Sequence, residues 1–269
     1  MRPDTAVQRG KRIALVLSAG GLRGAAHVGV LRTLVREGVP IHAIVGVSAG
    51  AVVAAYYGAV GLSTDELCSD AKSFRGRHLI AYGLNVHLGY RLEQWYGSAC
   101  GGIPERLRQL ETATFDRLHH GLSKLGIVCH DCRTGRPRYF STVCHQGLTL
   151  ADAVRASASI PGLFPPLVVS RGGESMRLRD GGATDPVPLS FARNGSIGAT
   201  HVIVSDCRWI GRTPPTTPDT VWIRPRMPSI GTLWSPVSGL SSAVRCGEYA
   251  VHAGALRQIF SWLTSEGES

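Results

Sequence analysis

Acidic residues are scarce in this chain. Nineteen Asp and Glu stand against 29 Lys and Arg, a net charge of +10. That balance favours an anionic partner, either lipid head groups or nucleic acid. Charge of either sign is limited to 18% of residues, against 43% hydrophobic, which excludes a disordered chain. No apolar run looks like a membrane span. Val39 to Leu62 lacks Asp, Glu, Lys and Arg, but it is filled with Gly and Ala and suits a buried strand followed by a buried helix. Lys11-Arg12 before Ile13–Leu17 imitates a secretion signal, yet the apolar run is too short and glycines follow at once. Seven cysteines, an odd number without regular spacing, argue for a reducing compartment. Cys129-His130-Asp131-Cys132 has no second Cys-x-x-Cys to close a four-ligand set, so no metal is expected. No recognised nucleic-acid motif accompanies the positive charge, and no nucleic acid is expected. The expected location is cytoplasmic, peripheral at the membrane.

What the sequence does hold is Gly46-Val47-Ser48-Ala49-Gly50, a Gly-x-Ser-x-Gly motif. Ile41–Val45 before it suits a buried strand, and the Ala-rich run from Ala49 to Tyr57 suits a helix. A serine on such a sharp turn is exposed at a helix N-terminus. Gly46 and Gly50 let strand and helix approach, and the helix end favours developing negative charge. The pattern predicts a nucleophile; a plain tight turn is the simpler alternative.

The first sixty residues predict strand, glycine loop, helix, strand, serine turn and helix, a parallel α/β opening. The first helix is expected to bury Val28, Leu31, Leu34 and Val35 and to stop at Gly38. Ser63–Glu66 and Thr149–Asp152 read as N-terminal helix caps. Leu125–Cys129 and Arg138–Val143 read as paired strands about Gly135, His201–Ser205 as another strand, and 240–263 as one terminal helix. The stretch 72–108 holds six Lys and Arg, two Glu and interleaved aromatics. An ordinary insertion, a lid and a membrane-facing patch all fit it.

Two further segments carry chemistry. Small residues at 19–24 let successive backbone N–H groups point into one concavity. A dinucleotide site would need an acid at the end of the second strand, and Val45-Gly46 stands there instead. An oxyanion hole needs only N–H groups beside a nucleophile, which assigns Gly20, Gly21, Leu22, Arg23 and Gly24 to it, with Ala49 as a further donor. Arg23 is read as an anchor for the loop, a neighbour of the developing charge, or an exposed surface arginine. Asp180-Gly181-Gly182 places a carboxylate beside two residues that cannot block a hydroxyl; an Asp-Gly turn is the simpler reading.

Together these motifs resemble the patatin-like phospholipases, in particular their bacterial branch. Residues 19–24 are similar to that family's Gly-Gly-Gly-x-Arg-Gly motif, 46–50 to its nucleophile elbow and 180–182 to its Asp-Gly-Gly/Ala motif. Ala25–Leu31, Arg155–Pro161 and Asp185–Pro188 also resemble it. Ala19 departs from the family's first glycine. The resemblance covers 13–207, and more weakly 221–260. It implies one three-layer α/β/α domain with a mainly parallel sheet, with 208–269 as linker, edge segment and helix on the same domain. It implies a Ser48–Asp180 dyad, with Ser48 as nucleophile and Asp180 as base, that hydrolyses phospholipids or other fatty-acyl esters without metal or other cofactor. Such a dyad is expected to lack the activity rise near pH ~6.5 that histidine gives. Contact with an anionic membrane surface is expected, and oligomeric state is left open. Two rivals stand beside this: a Ser-Asp-His esterase using His201 or His252, and a non-catalytic lipid-binding protein on the same fold.

Overall fold

A computed structural model describes residues 10–73, 103–171, 174–211, 214–215, 217–233, 235 and 239–264. Strand β1 (Ile13–Leu17) is wholly buried, and its side chains alternate between two cores. Ile13, Leu15 and Leu17 face the larger core; Ala14 and Val16 face the smaller. β2 (Ala43–Val47) and β7 (His201–Ser205) flank β1 in parallel, β8 (Thr220–Ile223) extends the sheet beyond β7, and β3 (Lys124–Asp131) lies parallel to β2. Past β3 the direction reverses. β6 (Glu174–Asp180) runs antiparallel to β3 and to β5 (Leu167–Arg171), while β4 (Arg136–Ser141) also pairs antiparallel with β3. The sheet order is β5-β6-β3-β2-β1-β7-β8, with β4 off that path.

Helices cover both faces, giving a three-layer α/β/α domain with a mainly parallel sheet. The larger core takes in α1 (Ala25–Arg36), α2 (Ala49–Ala55), α3 (Thr64–Ser73), α4 (Ile103–Thr112) and α5 (Leu150–Ser157). The smaller is closed by α6 (Leu189–Arg193) through Phe191 and Ala192. α7 (Gly239–Ala250) packs along α1, and α8 (Ala253–Thr264) packs against β8. Among the described residues no helix is long and apolar enough to cross a membrane.

Several local expectations hold. Glu66 N–H donates to Ser63 Oγ at 3.2 Å while Ser63 N–H donates back to Glu66 Oε2 at 2.9 Å. Thr149 Oγ1 caps α5 by accepting from Asp152 N–H. Others do not. Val35 is 40% exposed, because α1 turns that position away from the sheet. The expected terminal helix is two helices. It breaks at Val251-His252, and His252 Nδ1 accepts from Ala255 N–H to start the second. The run after Ser48 is α-helical only to Ala55, then widens into one π turn (Tyr56–Val60) that stops at left-handed Gly61. From 74 to 102, the basic and aromatic stretch lies outside the described residues.

Candidate active site

The register of the parallel strands puts the carboxyl ends of β1, β2 and β7 on one edge. Leu17 stands opposite Gly46 and Ser205, and Val47 opposite Val128. The glycine loop, the serine turn and the turn after β7 all leave from this edge, where open α/β sheets place their sites.

Ser48 follows β2 and precedes α2. Its backbone stands at φ 56° and ψ −126°, a strained conformation for a residue with a side chain. Tight contact on both sides holds it there. A Cβ on Gly46 would stand 2.6 Å from Ala51 N, and one on Gly50 would stand 2.8 Å from Leu17 Cβ. Ser48 N–H donates to Ser157 Oγ at 2.9 Å, and Ser157 Oγ donates to Val128 O at 2.6 Å. The end of α5 is thereby tied to both β3 and the serine turn.

Asp180 arrives from the antiparallel side. β6 pairs Asp180 with Cys129, so the strand ends beside the residue that follows Val128. Ser48 Oγ donates to Asp180 Oδ2 at 2.6 Å, across 132 positions of sequence. Gly182 N–H donates to Asp180 Oδ1 at 2.8 Å, and Asp180 N–H donates to Ser159 O at 3.1 Å. Gly181 opens the short turn 181–183 that directs this N–H back. Both Ser48 and Asp180 are buried, 4% and 5% exposed. Burial raises the Asp180 carboxyl from its ordinary 3.8 to about 6, against the opposing hydrogen bonds from Ser48 and Gly182.

The glycine loop is only partly free to face the serine. Gly21 stands at φ 56°, and its Cα lies close against Thr232, so a side chain fails there on both grounds. Leu22 N–H donates to Thr232 O at 2.8 Å, and Arg23 N–H to Gly20 O at 3.2 Å. The Arg23 guanidinium is buried and donates to Cys207 O at 3.0 Å, Met227 O at 2.7 Å and Ile230 O at 2.5 Å. Of the three readings of Arg23, the anchor is the one this geometry matches. Gly24 ends the turn Gly21–Gly24 and abuts Ala49, the first residue of α2. The N–H groups of Gly20, Gly21 and Gly24 are not donors in these bonds.

Ala19 replaces a glycine without positive φ. Its N–H donates to Pro186 O at 2.9 Å, and its Cβ faces Gly182, where a Cβ would come within 2.8 Å.

The histidines sit elsewhere. His201 pairs with Ile13 at the amino end of β1, the opposite edge, and its ring lies 4.8 Å from that of Trp262. His252 caps α8. His27 is buried under the glycine loop, with Nε2 2.9 Å from Ser18 O and Nδ1 2.8 Å from Ser205 Oγ, and burial lowers its pKa to about 4. Cys129 Sγ donates to Ala153 O, and among the described residues no three His, Cys, Asp or Glu side chains form a metal-binding group. Ser157 and Ser159 were visible beforehand only inside the phrase 155–161. Nothing in their spacing marks one as a partner of Ser48 and the other of Asp180.

A family model described as patatin-like phospholipase matches residues 15–193. The chain is 31% identical over 209 residues to lysophospholipase NTE1 of Coccidioides immitis, which covers 78% of this chain and 12% of that protein. It is 32% identical over 185 residues to an uncharacterised NTE family protein of Mycobacterium tuberculosis, 67% of this chain and 28% of that one. The chain therefore spans well under a third of either relative. Among solved structures, VipD from Legionella pneumophila shares the fold, with a TM-score of 0.55 over 94% of this chain and 67% of that chain, at 14% identity.

Proposed function

The chain belongs to the patatin-like phospholipase family, and from that premise we propose that it is a serine hydrolase of acyl lipids, cleaving carboxylic ester bonds of phospholipids, lysophospholipids or related fatty-acyl esters. The observation that carries this reading is the 2.6 Å hydrogen bond from Ser48 to Asp180 at a strained strand-to-helix turn.

Ser48 Oγ attacks the ester carbonyl carbon while Asp180 Oδ2 takes its proton. The carbonyl oxygen becomes an oxyanion held by the N–H groups of Gly20, Gly21 and Ala49. Ala49 opens α2, where the N–H has no acceptor within the helix. The tetrahedral intermediate collapses, the leaving alkoxide takes the proton from Asp180, and an acyl group remains on Ser48. Asp180 then removes a proton from water, which attacks the acyl carbon. Collapse expels Ser48 Oγ, which recovers the proton, and the fatty acid leaves. A carboxylate of ordinary pKa is a weak base for this, and burial makes Asp180 a better one. The placement of His201 and His252 away from Ser48 supports a dyad over a triad.

Lysophospholipids are the first substrates to try, given the name of the fungal relative. With lysophosphatidylcholine and with a soluble p-nitrophenyl ester, Ser48→Ala and Asp180→Asn should each lose about 10³-fold or more in kcat/KM with circular dichroism unchanged. Turnover near the wild-type rate in either folded variant removes the mechanism.

A further inference from the structure

The turn after β7 is more firmly built than a connection between two strands needs. Asp206 is fully buried. It accepts from Arg208 three times: backbone N–H at 3.1 Å, Nε at 2.8 Å and Nη2 at 2.9 Å. From the end of β8, Arg224 Nε approaches Asp206 Oδ2, which Arg208 Nη2 also reaches, at 3.8 Å, and Arg224 donates from Nη1 to Gly211 O at 2.5 Å. These bonds close 206–211 into a braced turn. At its tip stand Trp209 and Ile210, 52% and 83% exposed.

The tip lies against the glycine loop through Arg23. The Trp209 ring covers the Arg23 guanidinium at 4.9 Å, and Arg23 ties the glycine loop to Met227 and Ile230. Along the same segment, Leu233 is 50% exposed and follows Thr232, whose carbonyl takes the Leu22 N–H. Trp209 and Leu233 therefore stand exposed beside the glycine loop, with Ile210 next to Trp209 on the turn. Scattered apolar residues need no explanation, but Trp209 and Ile210 are held out by a buried ionic brace beside the glycine loop, with Leu233 on the same loop's other partner segment, and such a group marks an interaction surface. Charge favours an anionic partner as well, since the chain carries a net +10 while Arg208 and Arg224 are held inward by Asp206. Arg226 is exposed.

We infer that Trp209, Ile210 and Leu233 form a lip that inserts into the interfacial layer of an anionic lipid membrane, with Arg226 and the net positive charge of the chain drawn to its head groups. The inference deepens the function proposed above and rests on it for the choice of lipid as occupant. Trp suits the head-group level, where its apolar ring and polar N–H are both accommodated. Ile210 would supply buried apolar area, and Arg226 with the net charge of +10 the attraction to anionic lipid. Seated this way, the glycine loop and Ser48 face the membrane from which an acyl chain must come.

The test measures binding apart from turnover, with the Ser48→Ala protein and sucrose-loaded vesicles of phosphatidylcholine and phosphatidylglycerol at low salt. Ile210→Asp should lower the partition coefficient about tenfold, as expected for withdrawing one large aliphatic side chain from an apolar environment. Tyr249→Asp serves as the control. Tyr249 is also 83% exposed but lies on α7, and its substitution should change binding less than twofold. Equal loss in both variants, no loss in Ile210→Asp, or no vesicle binding by the parent overturns the lip. So does a parent that ignores vesicles but forms a dimer that Ile210→Asp dissolves, which would make a second copy the occupant. Vesicle binding through the tip by a protein that hydrolyses no ester would support the lip while removing the proposed activity, so the two fail separately.

Discussion

Asp180 is the residue on which most depends, and its burial has two measurable consequences. Folding raises its pKa from 3.8 to about 6, so the folded protein binds this proton more tightly than the unfolded chain. The resulting stabilisation is fully present below pH ~3.8 and is lost as pH rises through about 6, roughly 3 kcal/mol in all at ~1.4 kcal/mol per unit. Asn does not titrate. The stability of Asp180→Asn relative to wild type should therefore rise between about pH 4 and 7 in urea denaturation, and a flat difference would contradict the burial argument. The same ionisation governs activity. The base works only as carboxylate, so kcat/KM should rise with a midpoint about 6. This differs from the sequence-based expectation that a dyad lacks a rise near histidine's range, because burial carries the carboxyl into that range. Temperature separates the two groups: a carboxyl midpoint hardly moves on warming, whereas an imidazole midpoint falls. At this scale Ser48 and Asp180 were both legible as candidates. Arg23 was legible only as three alternatives, because the three carbonyls it holds lie at 207 and beyond. Ser157 was not assignable, because its role is a contact with Ser48 across 109 positions.

At the scale of elements, the site depends on how α5 and the glycine loop are fastened. Ser157→Ala leaves Ser48 N–H without its acceptor and Val128 O without its donor. Leaving such buried groups unsatisfied costs about 1–3 kcal/mol. The variant should unfold at lower urea and lose roughly tenfold to a hundredfold in kcat with KM little changed, since the serine turn would no longer be held against β3. Wild-type kcat in Ser157→Ala would show the tie to be structural alone. Gly21→Ala should be worse for the loop, since φ 56° and the closeness of Thr232 both oppose a Cβ. Its effect should fall on ester turnover and on protease resistance of 227–233. Strong local signals predicted the elements well: the apolar run Ile13–Leu17, the caps at Ser63 and Thr149, and the Gly38 stop. The break at 251–252 was hidden because the cap is a histidine, a residue type with no strong capping signature, inside a pattern that stays apolar at helical spacing.

For the whole molecule, the parallel half of the sheet could be read from buried strands alternating with helices. The hairpin of β3 and β4 about Gly135 could be read as well, but the antiparallel pairing of β6 with β3 could not. Nothing in the sequence ties Asp180's segment to β3, and that pairing is what brings Asp180 to Ser48. The net charge of +10 also acts at this scale. Binding to anionic vesicles should exceed binding to neutral ones and weaken as salt shortens the Debye length from ~10 Å at 0.1 M to ~3 Å at 1 M; equal binding to both at low salt would show that charge contributes nothing. The central claim is that one serine, activated by one aspartate, performs acyl transfer. Its most direct measurement is covalent labelling by a fluorophosphonate, with the modified residue mapped by mass spectrometry in wild type and in Asp180→Asn. The account predicts a single adduct on Ser48 that forms far more slowly in Asp180→Asn. Labelling at another serine, or an undiminished rate without Asp180, would contradict it.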